Sequence, residues 1–235
     1  YAGREEVANA AVSAAFGRIR ELNDVLSEYD PDSELMQLCR TAKPGEPSTV
    51  SSDLFTILSR ANQISRASDG AFDITVGPVV QLWRKARSNK RLPPDDELAA
   101  ARKLVDYRHL SLDERKKTVT FRQSGMRLDA GGIAKGYAAD EALKALKAHG
   151  VTRALVAAAG DIVAGDPPPG LKGWRVGIGP VEDSEARPRL SLILANRAVS
   201  TSGDAYQFVE FDGVRYSHIV DPQTGLGLTR RCSVT

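Results

Sequence analysis

Cysteine is scarce in this sequence, with Cys39 and Cys232 the two among 235 residues. Two cysteines are too few for a disulfide framework, and they lack the spacing of metal ligands, so a disulfide-rich scaffold and a cysteine-ligated zinc site are excluded. One bridge between them is an open alternative, and two unpaired thiols are the favoured interpretation.

Long apolar runs and a dominant charge are also missing. No run approaches the roughly 20 apolar residues of a membrane span, which argues against a membrane-spanning chain. The formal net charge is +2, so the broad basic footprint of a nucleic-acid-binding protein is absent. With 42% hydrophobic and 26% charged residues, the composition is that of a globular chain and excludes a disordered or fibrous one.

The order of the periodic segments predicts the fold class. Apolar residues recur at three- and four-residue steps from Val7 to Leu26 and again after Ser51, which predicts amphipathic helices. Short β-type runs follow in the second half, including a hairpin turned by Asp212-Gly213. Early helices and late antiparallel strands indicate an α+β fold. The basic segment from Arg84 to Arg91 is predicted to be a loop.

One candidate ligand loop runs from Ser68 to Pro78. Gly70 permits a positive φ and a close approach of the backbone to a ligand. Asp73, beside an aromatic residue, could hydrogen-bond a polar group of a heterocycle. The alternative is that Asp73 caps the following turn, and spacing alone favours that structural role.

A second candidate is the segment Leu128–Tyr137, where a strand-like run ends at Gly131-Gly132 and a helix begins with Lys135 in its first turn. It has neither the Walker order nor that of a dinucleotide fold. A phosphate is a natural ligand of a helix N-terminus, and Lys135 adds a point charge. A plain strand–turn–helix junction with a solvated lysine remains open.

The third candidate joins Thr201–Asp204 to the stretch Ser217–Gly225. His218 lies at a strand end before a turn that carries Asp221 and Thr224, where an imidazole can move protons near neutral pH. A strand-end histidine is more often structural, and the sequence has no G-x-S-x-G elbow.

These stretches, in this order, resemble the FAD:protein FMN transferase (ApbE) family. The resemblance spans nearly the whole chain, and each landmark alone is weak whereas the set in register is specific. The landmarks are Tyr29–Leu35, Gly70–Pro78, Leu82-Trp83, Leu128–Ala138, Gly160–Ile162, Thr201–Asp204 and Ser217–Gly225.

The resemblance implies a single ApbE-like (T-fold-like) α+β domain over residues 1–235, with early helices packed on a mainly antiparallel sheet. It implies an enzyme, a transferase that splits FAD with a divalent metal, usually Mg²⁺. The FMN half moves to a Ser or Thr hydroxyl of an acceptor protein, and AMP is released. Implied acceptors are membrane-associated redox subunits with an Asp-x-x-Ser/Thr-Gly-Ala-Ser/Thr motif, which this chain lacks. Family members are typically exported, which implies the periplasm or cell envelope.

Carried over position by position, the resemblance also implies the site residues. The residues implied to contact FAD are Tyr29, Ala71, Phe72, Asp73, Asp129, Lys135 and Val220. His218 is implied as the catalytic proton acceptor, and Lys135 as the cation that holds the splitting pyrophosphate. The backbone carbonyl of Gly132 is implied as a metal ligand.

The family pattern extends past both ends of this sequence, so truncation at both ends is expected. The family's other metal ligands, an Asp and a Thr, come after the strand that begins near Ser233. Weak or absent Mg²⁺ binding by these 235 residues is therefore expected. Two other functions stay open: a metal-dependent FAD pyrophosphatase that gives FMN and AMP, and an FAD-binding protein without catalysis.

Overall fold

A computed structural model describes residues 1–179, 190–203 and 207–235. The chain forms two compact units: the first comprises Tyr1–Leu22, Ala134–Ala205 and Cys232–Thr235, and the second comprises Asn23–Ile133 and Tyr206–Arg231. The expectation of one ApbE-like domain stays a prediction.

Six helices and twelve short strands lie in the described ranges. The helices are α1 Glu5–Leu26, α2 Glu34–Thr41, α3 Ser52–Ala67, α4 Gly77–Asn89, α5 Asp95–Arg102 and α6 Ala134–Ala148. The strands are β1 Pro47–Thr49, β2 Leu110–Asp113, β3 Thr118–Phe121, β4 Leu155–Ala158, β5 Asp161–Ala164, β6 Trp174–Ile178, β7 Leu190–Leu194, β8 Arg197–Ser200, β9 Ser202–Gly203, β10 Phe208–Phe211, β11 Val214–Ser217 and β12 Ser233–Val234. Two 3-10 turns cover Ile74–Val76 and Tyr107–His109.

The first unit packs helices α1 and α6 through small side chains. Ala11 and Ala15 share a buried cluster with Ala139 and Leu143, because alanine at three- and four-residue steps gives each helix a narrow apolar face. Its strands pair antiparallel in three groups, β4-β5-β8, β6-β7 and β9-β12. The apolar face predicted for α1 is therefore confirmed.

The second unit holds helices α2 to α5. The side chains of Ser33 and Ser51 cap α2 and α3 by accepting from backbone N–H groups in the first turn. A three-stranded antiparallel sheet has the order β1-β3-β2, and β10 and β11 form the hairpin predicted at Asp212-Gly213.

The predicted basic loop from Arg84 to Arg91 is wrong over most of its length. Helix α4 continues to Asn89, with Pro78 in its first turn. Val79, Trp83 and Ala86 are buried on one face of this helix, so a helical apolar stripe lies among the basic residues. Lys85 and Arg87 stay exposed to water while the apolar face packs.

The fold class is confirmed: the described strand pairs are antiparallel, and the long helices come before most of the strands. Both cysteines are free thiols, in agreement with the favoured interpretation. None of the helices in the described ranges has the length and apolar character needed to cross a membrane.

Candidate functional site

The loop after helix α3 places Ala71, Phe72 and Asp73 together in the second unit. Gly70 turns the chain with a φ of 78°, in the left-handed region that favours glycine. The hydroxyl of Ser68 accepts a hydrogen bond from the Phe72 N–H at 3.1 Å. Ala71 is exposed, Phe72 is half-buried and Asp73 is buried, so the loop turns its carboxylate inward and keeps its preceding residues accessible.

Both carboxylate oxygens of Asp73 accept hydrogen bonds from the protein. Oδ1 accepts from the N–H of Thr75 at 2.8 Å and from its hydroxyl at 2.7 Å. Oδ2 accepts from the N–H of Tyr107 at 2.8 Å. Asp73 thus caps the following 3-10 turn, which is the structural role that spacing favoured. Its contact with FAD stays a prediction.

The double-glycine bend lies against this loop. The N–H of Asp129 donates to the Ile74 carbonyl at 2.8 Å, and Oδ1 of Asp129 accepts from the Gly131 N–H at 2.9 Å. A Cβ at position 132 would lie 3.1 Å from a carbon of the Phe72 ring, so Gly132 allows the aromatic ring to approach the backbone closely. Phe72 therefore lies next to the bend that Asp129 and Gly132 form, although it is far from both in sequence.

A charged cluster connects the double-glycine bend to Tyr29. The guanidinium of Arg84 on α4 pairs with Glu28 and lies 3.5 Å from Oδ2 of Asp129. The central carbon of this guanidinium, Cζ, lies 4.6 Å from the centroid of the Tyr29 ring, within cation–π range. Two predicted FAD contacts, Tyr29 and Asp129, thus share one arginine.

The surroundings of Glu28 in this cluster shift the pKa of its carboxyl group. Burial, followed by the hydrogen bond and negative charge of Asp129, raises the pKa of Glu28 to about 7, although Arg84 opposes the change. The pKa of Arg84 is raised by Glu28 and Asp129 against the effect of burial. Near neutral pH, the carboxyl of Glu28 is therefore partly protonated beside Asp129 and Arg84.

A cavity of about 710 Å³ opens beside the cluster, within the second unit. Glu28 and Tyr29 contribute to its wall, and Met36, Leu82 and Met126 supply apolar surface. Its volume lies in the range of about 300–1,000 Å³ that small-molecule pockets occupy. Tyr29 therefore stands at the edge of a space large enough for part of a ligand.

His218 follows strand β11, where its ring is oriented by the backbone. Nδ1 lies 2.9 Å from the carbonyl oxygen of Gln207, which also accepts from the His218 N–H at 3.0 Å. A carbonyl only accepts, so Nδ1 carries the proton and Nε2 is the basic nitrogen of the neutral ring. Val220, two residues on, forms a bridge with Gly227 and packs in the cluster around Trp83.

Helix α4 supports both parts of the candidate site. Trp83 donates from Nε1 to the Gly225 carbonyl at 2.7 Å and packs on Tyr216, with ring centroids 5.2 Å apart. Arg84, the next residue, contacts Glu28 and Tyr29. One helical turn therefore holds the loop after His218 on one side and the flavin-contact candidates on the other.

Lys135 belongs to the first unit, where it is exposed in the first turn of α6. The other predicted site residues belong to the second unit. The structure brings Tyr29, Phe72, Asp129 and Gly132 into one chain of contacts, whereas convergence of Lys135 and His218 on them stays a prediction. Asp204, a residue of the third candidate stretch, lies outside the described residues.

The donor set for a metal is incomplete. Across residues 1–179, 190–203 and 207–235, no group of three or more His, Cys, Asp and Glu side chains is placed to hold a metal ion. Near Gly132, the carboxylate of Asp129 is engaged by Gly131 and Arg84. Mg²⁺ prefers six oxygen ligands in octahedral geometry, so these residues alone do not fit it.

Sequence reasoning missed Glu28 and Arg84. Their pairing spans 56 positions, and the basic segment that contains Arg84 favours a loop by sequence. The apolar spacing of Val79, Trp83 and Ala86 was the available signal, because it predicts a helix that projects Arg84 beside the buried face.

The chain is thus an α+β protein in which Glu28 and Tyr29 line a cavity and Arg84 connects them to Asp129 of the double-glycine bend. The ApbE family model matches residues 3–235. The chain therefore belongs to the ApbE family.

Relatives and solved structures agree with this assignment. The chain is 35% identical to a FAD:protein FMN transferase of Treponema pallidum, over 92% of this chain and 63% of that protein. It is 33% identical to one of Klebsiella pneumoniae, over 93% of this chain and 67% of that protein. The crystal structure of an ApbE protein from Thermotoga maritima superposes with a TM-score of 0.84 at 29% identity, covering 93% of this chain and 70% of that one. The structure of the flavin transferase ApbE from Vibrio cholerae superposes with a TM-score of 0.83 at 29% identity, covering 96% of this chain and 72% of that one.

The matched part of each relative limits what these comparisons show about this chain. The chain spans somewhat less than two thirds of the Treponema pallidum protein. The matches therefore define the family and the ApbE-like fold of this chain.

Proposed function

We propose that this chain acts as an FAD:protein FMN transferase. The observation that carries the proposal is its similarity, over most of its length, to proteins described by that activity. The neighbouring placement of Tyr29, Phe72, Asp129 and Gly132 supports it, since these are residues implied to contact FAD and the metal.

In the proposed reaction, a Ser or Thr hydroxyl of the acceptor attacks the phosphorus atom of the FMN half of FAD. A new phosphoester bond forms to that oxygen while the bond from phosphorus to the AMP oxygen breaks, and AMP leaves. The hydroxyl proton passes to Nε2 of His218, because Nδ1 is held by the Gln207 carbonyl. The orientation of the ring thus supports its role as general base.

The groups proposed to hold FAD match different chemical parts of FAD. Tyr29 and Phe72 offer aromatic faces to the flavin, and Asp129 a carboxylate. Lys135 is proposed to neutralise the diphosphate as charge develops on its oxygens. A Mg²⁺ ion would supply Lewis-acid stabilisation there, with the Gly132 carbonyl as one ligand. The described side chains alone do not complete the ligand set of the ion.

The acceptor and the location belong to the same proposal. We propose an acceptor with the Asp-x-x-Ser/Thr-Gly-Ala-Ser/Thr motif, of the kind found in membrane redox subunits, and a periplasmic or cell-envelope location. Both rest on the resemblance of the landmark sequences.

The test is transfer of flavin to protein. The full-length protein is incubated with FAD, MgCl₂ and a carrier protein that displays the acceptor motif, and the fluorescence of the carrier is measured on a denaturing gel. We expect a fluorescent carrier band, and we expect His218→Ala to lower the labelling rate by about 10²-fold or more because the general base is lost.

His149→Ala is the matched control, since His149 is an exposed histidine beyond the end of α6, and it should label at the unaltered rate. Equal labelling by His218→Ala would refute the assigned base. Release of AMP without any carrier label would show pyrophosphatase activity instead of transfer.

A further inference from the structure

Arg84 has three partners that converge from different parts of the second unit. Its guanidinium forms an ion pair with Glu28 and lies 3.5 Å from Oδ2 of Asp129. It also lies 4.6 Å from the centre of the Tyr29 ring. Its side chain is 30% exposed, so the group is partly shielded from water and its contacts are stronger than those of a fully solvated arginine.

The carboxylate side of the cluster is nearly buried. The side chains of Glu28 and Asp129 are 10% and 12% exposed, so removal of the arginine would leave two nearly buried acids without their cation. Asp129 is fixed at both oxygens, since Oδ1 accepts from the Gly131 N–H and Oδ2 faces Arg84. Arg84 is therefore linked to the double-glycine bend through the carboxylate of Asp129.

Tyr29 is different, because 78% of the residue is exposed. An exposed ring outside a helix samples several rotamers, and a ligand that needs one of them must supply the ordering free energy. A guanidinium that is itself held by two carboxylates gives the ring a fixed surface on which to stack. The ring is thereby restricted before a ligand arrives.

We propose that Arg84 is a positioning residue for flavin binding: one guanidinium, held by Glu28, fixes the ring of Tyr29 and the carboxylate of Asp129 relative to each other. This inference rests on the proposed function, because flavin is the ligand that Tyr29 and Asp129 are proposed to contact. Arg84 acts through these two residues and is not assigned a contact with FAD.

The test is a double-mutant cycle on FAD affinity, measured by quenching of flavin fluorescence in a titration without acceptor. Arg84→Met keeps an unbranched stem and removes the charge, and we expect the FAD dissociation constant to rise about tenfold. In a Tyr29→Ala background the same change should raise it by a smaller factor, about threefold, because only the contribution through Asp129 remains. Arg84→Lys keeps the charge without the planar fork and should be intermediate.

Arg87→Met is the matched control, since Arg87 is exposed on the same helix, and it should leave the dissociation constant unchanged. Purely additive effects of Arg84→Met and Tyr29→Ala would overturn the inference, as would equal affinity of Arg84→Met and the unaltered chain. If Arg84→Met does not fold, the same cycle with Arg84→Lys decides. No FAD binding by the unaltered chain would instead overturn the proposed function itself.

Discussion

At the residue scale, the carboxyl of Glu28 couples folding to pH. Burial beside Asp129 raises its pKa from 4.5 to about 7. Between these values the folded protein binds a proton that the unfolded chain has released. The free energy of unfolding therefore falls as the pH rises through this window. After allowance for solvent screening, the contribution of this one group is on the order of 1–2 kcal/mol.

Glu28→Gln should remove that dependence. The amide can still donate to Asp129 and accept from Arg84, but it does not titrate. We expect urea unfolding, followed by circular dichroism from about pH 5 to pH 8, to show a shallower decline of unfolding free energy in the variant. Glu114→Gln, in the exposed turn between β2 and β3, controls for the substitution. Identical slopes for the Glu28 variant and the unaltered chain would contradict the assignment.

The predicted site residues show which information the sequence contains at this scale. Asp129 and Gly132 are close in sequence, so their shared bend could be predicted from a local motif. The ion pair of Glu28 with Arg84 joins positions 56 residues apart, and each residue alone reads as an ordinary surface charge. Such a pair depends on how α4 lies against the segment that follows α1, which no local pattern specifies.

At the element scale, helix α4 explains both a correct and a wrong prediction. Leu82-Trp83 is one of the family landmarks, whereas the basic residues after it favour a loop by sequence. Val79, Trp83 and Ala86 are buried at helical spacing, and that apolar stripe decides the conformation because burial outweighs the weak preferences of exposed residues. The helix then presents Trp83 to the loop that follows His218.

Trp83→Phe tests that support. The change removes the donor to the buried Gly225 carbonyl and leaves a smaller ring, so we expect a loss of about 1–3 kcal/mol in unfolding free energy. Hydrogen exchange should rise in the loop 221–227, whose amides bond within the loop, including Asp221 to Leu226 and Gly225 to Asp221.

The matched control is Trp174→Phe in the first unit, where the indole N–H donates to the Asp166 carbonyl at 2.8 Å. It removes a comparable hydrogen bond and should leave exchange in the loop 221–227 unchanged. Unaltered exchange of that loop in Trp83→Phe would show that the indole does not hold it.

At the scale of the whole molecule, the order of helices and strands predicted the α+β class, whereas strand pairing did not follow from local pattern. Strand β1, Pro47–Thr49, lies in a segment rich in proline, glycine and serine, and it pairs with Thr118–Phe121 far along the chain. Such pairs form only after distant segments meet. The division into two units likewise depends on tertiary packing, which a composition typical of one globular chain does not reveal.

The two free thiols provide a probe of the whole fold. Cys232 is exposed, whereas Cys39 is partly buried and its Sγ accepts from the Leu128 N–H at 3.3 Å. Burial raises the pKa of Cys39, so less of it is thiolate near neutral pH. We expect a disulfide reagent that releases a coloured thiolate to react in two phases, with Cys39 slower by about tenfold or more.

In urea both cysteines should react at one rate, because unfolding removes the burial of Cys39 and leaves two solvated thiols. Cys39→Ser assigns the phases and should abolish the slow one alone. Dithiothreitol should leave the thermal midpoint unchanged, since neither cysteine forms a disulfide. A single fast phase that consumes two thiols per chain in native buffer would show that the region around Cys39 opens readily. The packing of α2 against the segment before the double-glycine bend would then be weaker than the burial of Leu35 and Leu128 indicates.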